Sequence, residues 1–478
     1  MIIKYLYINT MGCQMNVYDT GQILNRLAHL GYRPTENLEE ADMVIVNTCS
    51  IREKAEQKAF SFLGRLAPLK QHKPGLIIGI GGCVAQQEGK RILKRMPFVD
   101  LVFGTHAIGR LPGIIERINR TRCRVVDIDI TETLSPDDFA LGPHPRSDSS
   151  AFVTIMRGCD NFCTYCIVPY VRGREASRPM DDILKEVRHL VAGGVREVTL
   201  LGQNVNSYGQ KEGLGSFAQL LTRVDGVQGL ERIRFTTSHP KDFSDELIHC
   251  FGHLDKLCHH IHLPVQSGSD KILKRMNRHY TRRAYIEKVL QLRRICPDIA
   301  ITSDIIVGFP GETDDDFEAT LGLIKEVNFD GLFAFIYSDR PNAPAVRFDG
   351  KVDESVKKER LQRVLSCQEK GTLAKHRKLV GTVQDVLVDG VKRSDGDSAG
   401  SEITPEGTFD VQWSGRTGTN KIVHFTEEVQ GASGNQMLTG QVLRIMIEEA
   451  LPHCLLGRRI SSQTSGGSVG KGERTHVA

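Results

Sequence analysis

The run Arg157-Gly158-Cys159-Asp160-Asn161-Phe162-Cys163-Thr164-Tyr165-Cys166 sets three cysteines at a Cys-x3-Cys-x2-Cys spacing. Three thiolates this close can each hold one corner of a cubic iron–sulfur cluster. No fourth ligand lies nearby, so one iron stays open to bind something else. Zinc sites usually close with four ligands, often as paired Cys-x2-Cys knuckles, and no such pair exists here. A disulfide would use two of the three and strand one. The twelve cysteines are spread through 478 residues, unlike a secreted disulfide framework. The start, Met1-Ile2-Ile3-Lys4-Tyr5-Leu6-Tyr7-Ile8, reads as a strand rather than a signal peptide, and no apolar run is long enough to cross a bilayer. A reducing cytoplasm and no membrane association are expected.

Outward from the triad, residues 151 to about 341 alternate strand and helix signals six times. The strands are expected near 152–155, 197–201, 233–236, 260–265, 299–307 and 332–337. Between the first two, Ile183, Leu184, Val187, Leu190 and Val191 make an apolar helical face, with Asp181 or Asp182 as N-cap and Gly193-Gly194 as the stop. Repeated βα units predict a parallel sheet curled into a partial (βα)6, TIM-like barrel, open on one side, with chemistry at the strand C-termini. The cysteine triad falls just after the first strand. Polar residues mark the other strand ends: Gln203 after the second, Ser238 after the third, Gln266 after the fourth, and Asp304 inside the fifth. Residues of these kinds also cap helices and shape turns, and both readings stand. His239, His260 and His262 read as core histidines and not as metal ligands.

Residues 1–133 predict an open parallel α/β sheet. Leu6-Tyr7-Ile8 leads to Gly12-Cys13, Met43-Val44-Ile45-Val46 to Cys49, and Ile77-Ile78-Gly79-Ile80 to Gly81-Gly82-Cys83. Ligands of open α/β sheets gather outside the carboxyl ends of the strands. Three cysteines delivered to that edge predict a second cluster, again with three protein ligands.

The first triad, with an aromatic residue before its third cysteine, resembles the radical S-adenosylmethionine (SAM) superfamily. That resemblance implies an open iron that chelates SAM, cleavage of SAM to a 5′-deoxyadenosyl radical, Tyr165 against the adenine, and SAM contacts from Gln203, Ser238, Gln266 and Asp304. Gly12-Cys13-Gln14-Met15-Asn16, Asn47-Thr48-Cys49-Ser50-Ile51-Arg52 and Gly81-Gly82-Cys83-Val84-Ala85-Gln86 resemble the three cysteine motifs of the methylthiotransferases. These imply an auxiliary four-iron cluster on Cys13, Cys49 and Cys83, beside the one on Cys159, Cys163 and Cys166. Gly-Cys-Gln-Met-Asn resembles the branch that modifies isopentenyl-adenosine beside the tRNA anticodon. In this chain Asp19-Thr20-Gly21 stands where the family often has Asp-Ser-Glu. Tyr337-Ser338-Asp339-Arg340-Pro341-Asn342-Ala343-Pro344-Ala345 carries Asn and Ala where the family has Gly and Thr. The implied activity is insertion of sulfur and a methyl group at carbon 2 of the base. One SAM would methylate sulfur held on the auxiliary cluster, and a second would give the radical. Two other readings stay open: a sibling methylthiotransferase acting on threonylcarbamoyl-adenosine or a ribosomal protein, and a non-catalytic, metal-stabilised RNA-binding protein.

Composition suits several domains. The chain is 40% hydrophobic and 25% charged, ordinary for a globular protein, and its net charge of +4 does not itself argue for nucleic acid. Residues 134–150 have linker composition. The barrel domain is expected to span 151–378 and to end in a basic amphipathic helix over about 354–379, with Leu361, Val364 and Leu365 on one face. From 379 to 450 short alternating strands predict a small antiparallel β-barrel. Gly415-Arg416-Thr417-x-x-Asn420-Lys421 there resembles the TRAM module, an RNA-binding barrel. Arg416 and Lys421 suit phosphates, residues 393–407 read as an inserted loop, and 451–478 as a partly disordered tail. The implied partners are tRNA, an electron donor such as a flavodoxin or ferredoxin-type protein, and a sulfur source, with the enzyme a monomer.

Overall fold

The structure, a computed structural model, describes residues 3–50, 53–131, 134, 139, 142, 149–391, 408–430 and 438–460. The expectations for residues 135–138, 143–148, 393–407 and 461–478, and the last two residues of the Cys49 motif, lie outside that set. The chain divides into two compact units, Met1–Lys375 with Gly418–Asn420, and His376–Thr417 with Lys421–Ala478.

The first unit opens with β1 (Lys4–Met11), α1 (Gln14–Ala28), β2 (Tyr32–Pro34), β3 (Met43–Thr48), α2 (Glu53–His72), β4 (Ile77–Gly82), α3 (Cys83–Glu88), α4 (Lys90–Arg95), β5 (Leu101–Phe103), α5 (Leu111–Thr121) and β6 (Val125–Asp127). Its six strands form one parallel sheet in the order β2-β1-β3-β4-β5-β6. The run Met43-Val44-Ile45-Val46 shows why the sheet is covered on both faces. Met43 and Ile45 join Leu27, Leu111 and Ile115 in one core, while Val44 and Val46 join Leu63, Leu66 and Val84 in the other. Successive side chains of a strand point to opposite faces, so a continuous apolar run needs helices on both. Register then places the cysteines. Met11 pairs with Thr48, and Thr48 with Gly82, so β1, β3 and β4 end level.

The barrel follows as β7 (Ser150–Thr154), β8 (Met156–Arg157), α6 (Val168–Arg172), β9 (Ala176–Ser177), α7 (Met180–Ala192), β10 (Glu197–Leu201), α8 (Phe217–Asp225), β11 (Arg232–Phe235), α9 (Asp245–His253), β12 (His260–His262), α10 (Asp270–Arg275), α11 (Arg282–Ile295), β13 (Ala300–Val307), α12 (Asp314–Val327), β14 (Gly331–Ile336) and α13 (Glu354–Arg377). Two parallel three-stranded sheets, β7-β10-β11 and β12-β13-β14, are joined through the bridge Ile233–Leu257. The barrel is therefore six-stranded and partial, as expected. Strand β12 stops three residues early. Pro264 cannot donate to a ladder, and Gln266 turns with φ +74° before it bridges Ile305.

Three finer expectations are corrected. The N-cap of α7 is Pro179, and Asp181 and Asp182 sit in its first turn, where acidic groups favour the helix dipole. On α13, Val364 is buried and Leu361 half-buried, but Leu365 is 42% exposed, so the apolar stripe is narrower than the sequence suggested. Phe139, placed in the linker, is buried with Met15, Tyr18 and Leu201, and the Arg178 guanidinium lies 3.9 Å from its ring centroid. Among the described residues, no helix is long and apolar enough to cross a membrane.

The second unit holds β15 (Val383–Val391), β16 (Thr408–Thr417), β17 (Ile422–Gln430), β18 (Val442–Ala450) and β19 (Leu455–Arg459), closed as β15-β16-β17-β19-β18. Trp413, Phe425, Val388 and Ile445 fill it. The expected boundary at residue 450 is too early: β19 pairs antiparallel to β18 and parallel to β17, and Leu455 is fully buried. A five-residue strand containing glycine and two arginines gives little alternation to read.

Candidate metal centres and active site

The loop after β7 is pinched at its base. β8 pairs antiparallel with β9, so the chain from Gly158 to Glu175 makes one excursion that carries all three cysteines of the first triad. Gly158 has φ +78°, and its backbone N–H donates to Gln203 Oε1 at 2.5 Å. Asp160 accepts from Arg174 Nε at 2.6 Å, from Lys211 Nζ at 3.2 Å and from the Glu175 backbone at 3.1 Å. Asn277 Nδ2 donates to the carbonyls of Asn161 and Phe162, holding the Phe162 backbone at φ +46°. Thr164 donates to the carbonyls of Met276 and Arg275.

Burial pushes the Cys159 thiol up to about 11 and the Cys166 thiol up to about 12. Buried thiols of this kind stay neutral until a cation replaces their protons, which iron does. Arg278 makes the complementary argument. It is 4% exposed and donates to Cys163 Sγ at 3.5 Å, Tyr165 Oη at 3.3 Å, Tyr280 Oη at 3.0 Å and Pro264 O at 2.7 Å. Among the described residues no carboxylate pairs with it. A buried unpaired guanidinium is costly, so an anion belongs beside it, and a thiolate-held cluster supplies one. His239 Nε2 lies 3.9 Å from Cys163 Sγ, and burial first, then the charges of Arg278 and Lys241, keep that ring neutral.

The second triad lies just past the level ends of β1, β3 and β4. Asn16 and Asn47 lock it: Asn16 Nδ2 donates to Asn47 Oδ1 and Thr48 O, both at 3.1 Å, and Asn47 Nδ2 donates back to Asn16 O at 2.9 Å. Thr20 Oγ1 accepts from Asn47 Nδ2 at 3.0 Å. Gly82, at φ +88°, presses against Thr48 O. The Cys49 thiol hydrogen-bonds both neighbours and is itself pushed up. That bond, with the charge of Arg172, lowers Cys13 to about 6 and Cys83 to about 7 against their burial. Arg172, the last residue of α6, is 3% exposed. Its Nη2 donates to Asp19 Oδ2 at 2.8 Å, while its buried Nη1 has no hydrogen-bond partner. Three sulfurs and an unsatisfied buried donor fit an iron–sulfur cluster. Among the described residues, the group compact enough for a single ion, with ligand atoms within 4.8 Å of one another, is instead His259, Cys296 and Asp298, just before β12 and β13. There His259 Nδ1 and Asp298 already form an ion pair at 2.9 Å.

A cavity of about 130 Å³ joins the two regions. Cys13, Cys83, Ser50 and Arg172 line one side of it, and Gly202, Gln203, Thr236 and Thr237 at the ends of β10 and β11 line the other. Of the residues expected to meet SAM, Gln203 is thus at the cavity. Tyr165 is half-buried under Arg278. The Ser238 hydroxyl is buried with no hydrogen-bond partner. Gln266 and Asp304 are neighbours, the Gln266 N–H donating to Asp304 O at 2.8 Å, and the Asp304 carboxylate faces His262 Nε2 at 3.4 Å. Arg416 pairs with Asp389 at 3.6 Å on the small barrel, and the Lys421 backbone N–H donates to Thr417 Oγ1 at 3.0 Å. Sequence reasoning missed Arg172, Asp19 and Arg278. Charged residues in helices and turns read as solvated, and only their burial betrays them.

The sequence matches the models of the "Uncharacterized protein family UPF0004" over residues 5–104 and of the radical SAM superfamily over residues 153–324. It is 54% identical to the tRNA-2-methylthio-N(6)-dimethylallyladenosine synthase of Desulfosudis oleivorans over 464 residues, 97% of this chain and 98% of that protein. The enzyme of the same name from Syntrophus aciditrophicus is 50% identical over 461 residues, 96% of this chain and 95% of that one. Among solved structures, the radical S-adenosylmethionine methyltransferase TsrM from Kitasatospora setae aligns with a TM-score of 0.54 at 13% identity, over 72% of this chain and 77% of that chain. That likeness speaks to the fold alone.

Proposed function

The chain belongs to the tRNA-2-methylthio-N(6)-dimethylallyladenosine synthase family, and from that premise we propose which residues carry the family's chemistry here. The protein is a radical SAM tRNA methylthiotransferase that places a methylthio group on carbon 2 of isopentenyl-adenosine. Its cofactors are SAM and two four-iron clusters. The observation that carries the residue assignment is the shared cavity, which sets two cysteines of one triad opposite the barrel strand ends of the other.

Cys159, Cys163 and Cys166 would hold the cluster whose electron splits SAM, and Cys13, Cys49 and Cys83 the auxiliary one. The hydrogen on carbon 2 is unactivated and offers no acid–base route, so the protein's part is to position groups and exclude water. Ile167, Val168, Val171 and Leu201 give the cavity apolar walls. Arg278 fixes Tyr165 and Cys163 together, and Gln203 fixes the cysteine loop through Gly158. Ser238, with its free buried hydroxyl, Gln266 and Asp304 complete the SAM-facing set. The division into an auxiliary-cluster domain (1–133), a barrel domain (151–378) and a terminal β-barrel underlies this reading. Arg416 and Lys421 on that last barrel are suited to tRNA phosphates. A flavodoxin- or ferredoxin-type electron donor, a separate sulfur source, a monomeric state and a cytoplasmic setting complete the proposal.

The test uses single Cys→Ala variants, with iron content, SAM cleavage and tRNA nucleosides measured on each. Loss of Cys159, Cys163 or Cys166 should abolish SAM cleavage. Loss of Cys13, Cys49 or Cys83 should remove about four of roughly eight irons, leave SAM cleavage, and end methylthiolation. Full methylthiolation by any of the latter would refute the auxiliary assignment.

A further inference from the structure

We propose that His259, Cys296 and Asp298 form a binding site for one thiophilic divalent cation of the zinc class, at the strand starts of the barrel and apart from both cysteine triads. It stands independently of the cluster assignments. Local sequence brings the three side chains together. Cys296 caps α11, its N–H donating to Leu292 O at 2.8 Å. The Ile299 N–H donates to Cys296 O at 3.1 Å, which closes residues 296–299 into a tight turn. Pro297 stands second in that turn, where its fixed φ belongs. The turn folds Asp298 back over Cys296, and Cys296 Sγ donates to Asp298 Oδ1 at 3.4 Å. Strand register supplies the third group. His260 pairs with Ala300, so His259 stands beside the turn, and the Ala300 N–H pins its backbone by donating to His259 O at 2.9 Å. The imidazole Nδ1 then lies 2.9 Å from both carboxylate oxygens of Asp298.

The geometry selects the ion. Tetrahedral zinc, with bonds of about 2.3 Å to sulfur and about 2.0–2.1 Å to nitrogen or oxygen, spaces its ligand atoms about 3.3–3.6 Å apart. The sulfur–oxygen separation of 3.4 Å already matches, the nitrogen–oxygen separation of 2.9 Å has only to open slightly, and all three ligand atoms lie within 4.8 Å of one another. Calcium and magnesium take shells of oxygen, whereas one sulfur, one nitrogen and one oxygen suit zinc. An exposed ion pair adds little stability, and it needs no thiol beneath it. Cys296 is buried and fixed, while the His259 and Asp298 side chains are exposed and can turn. The ion therefore enters from solvent and keeps a water in its fourth position. It replaces the proton on the Cys296 sulfur, which leaves to solvent. Once bound, it staples the approach to β12 to the turn before β13. Metal counts per chain then include one ion that belongs to neither cluster.

The experiment incubates anaerobic, iron-loaded holoenzyme with one equivalent of zinc sulfate and removes loose metal by gel filtration. Zinc and iron per chain are measured, together with the zinc K-edge absorption fine structure, which the iron of the clusters does not obscure. The expected result is one zinc per chain with iron unchanged, and one sulfur at about 2.3 Å beside nitrogen or oxygen neighbours at about 2.0 Å. In competition with a chromophoric chelator, Asp298→Asn and His259→Gln should each weaken zinc binding by about tenfold or more, the scale that even the partners of metal ligands reach. Cys296→Ser should strip sulfur from the zinc shell. If that buried substitution unfolds the protein, the two exposed positions decide. Wild type that retains no zinc overturns the proposal, as does unchanged affinity in either exposed variant. A shell of several sulfurs would put the zinc on an incompletely loaded cysteine triad, and a shell without sulfur would mean an adventitious surface ion. Either one rejects the site.

Discussion

Gly158 and Gly82, with positive φ at +78° and +88°, each precede a cysteine proposed to hold a cluster, Cys159 and Cys83. A Cβ at Gly158 would lie 2.0 Å from the Arg174 carbonyl oxygen, and one at Gly82 would lie 2.3 Å from that of Thr48. Both obstacles are backbone, so neither can swing aside, and one strand must retreat by more than an ångström. The left-handed conformation costs an L-residue about 1–2 kcal/mol, and forcing packed backbone apart costs about 1–3 kcal/mol more. Together these disfavour the native loop by about 2–5 kcal/mol, or thirtyfold to several thousandfold. Gly158→Ala should therefore lose about half of the iron and SAM cleavage with it. Gly82→Ala should lose the other half and keep SAM cleavage. Gly194→Ala is the control: it has φ +107° but nothing within 4 Å of a new Cβ, so it carries strain without a clash. The assay is iron and sulfide content after anaerobic reconstitution, with electron paramagnetic resonance to assign the surviving cluster. Full iron in both variants, or loss of both clusters from each, would show that these glycines do not set the triads separately.

Arg278→Gln removes the cation that donates to Cys163 Sγ. The midpoint potential of the SAM-cleaving cluster should fall in a spectropotentiometric titration, and an unmoved potential would discount the contact. Glu175 is buried, which raises its carboxyl to about 7 against the hydrogen bond from Ser207. The folded state then holds a proton that the unfolded chain releases near 4.5, so stability should decline as pH rises from about 4.5 through 7. Glu175→Gln should flatten that decline in thermal melts, and a parallel profile would contradict the assignment. Arg416→Ala should lower the slope of log affinity for tRNA against log salt by about one unit and affect different tRNAs alike, as checked by titration at several salt concentrations.

The placement of the two cysteine triads at strand ends, the layered sheet and the partial barrel were legible because each follows from local spacing. Apolar runs of three or four residues leading to Gly-Cys or Asn-Thr-Cys announce strand ends, and parallel pairing levels them. The substituted motif at Asn342 was legible too, since Asn342 keeps positive φ at +72°. Thr20, where the chain departs from the family's Ser, accepts from Asn47, and Asp19, where it keeps the family's Asp, holds Arg172. Those contacts span long stretches of chain, and no periodicity encodes them. The early end of β12 was hidden by apolar Leu263 and Val265, which continue the strand pattern after the pairing has stopped. Leu365 failed because a helix face is defined by what packs against it, and that side chain stays 42% exposed.

The short helix α6 runs from Val168 to Arg172 and begins one residue after Ile167, which follows Cys166. It would therefore act as a gauge block between the two proposed cysteine centres. Each residue of an α-helix advances about 1.5 Å and turns about 100°. One inserted residue between Cys166 and Arg172 would swing the guanidinium away from Asp19 while leaving all six cysteines intact. Chimeras that exchange cysteine loops between such enzymes must conserve this count even where they conserve little else. A loop of the wrong length would give a protein that carries full iron and cleaves SAM yet misses its target by the width of a side chain.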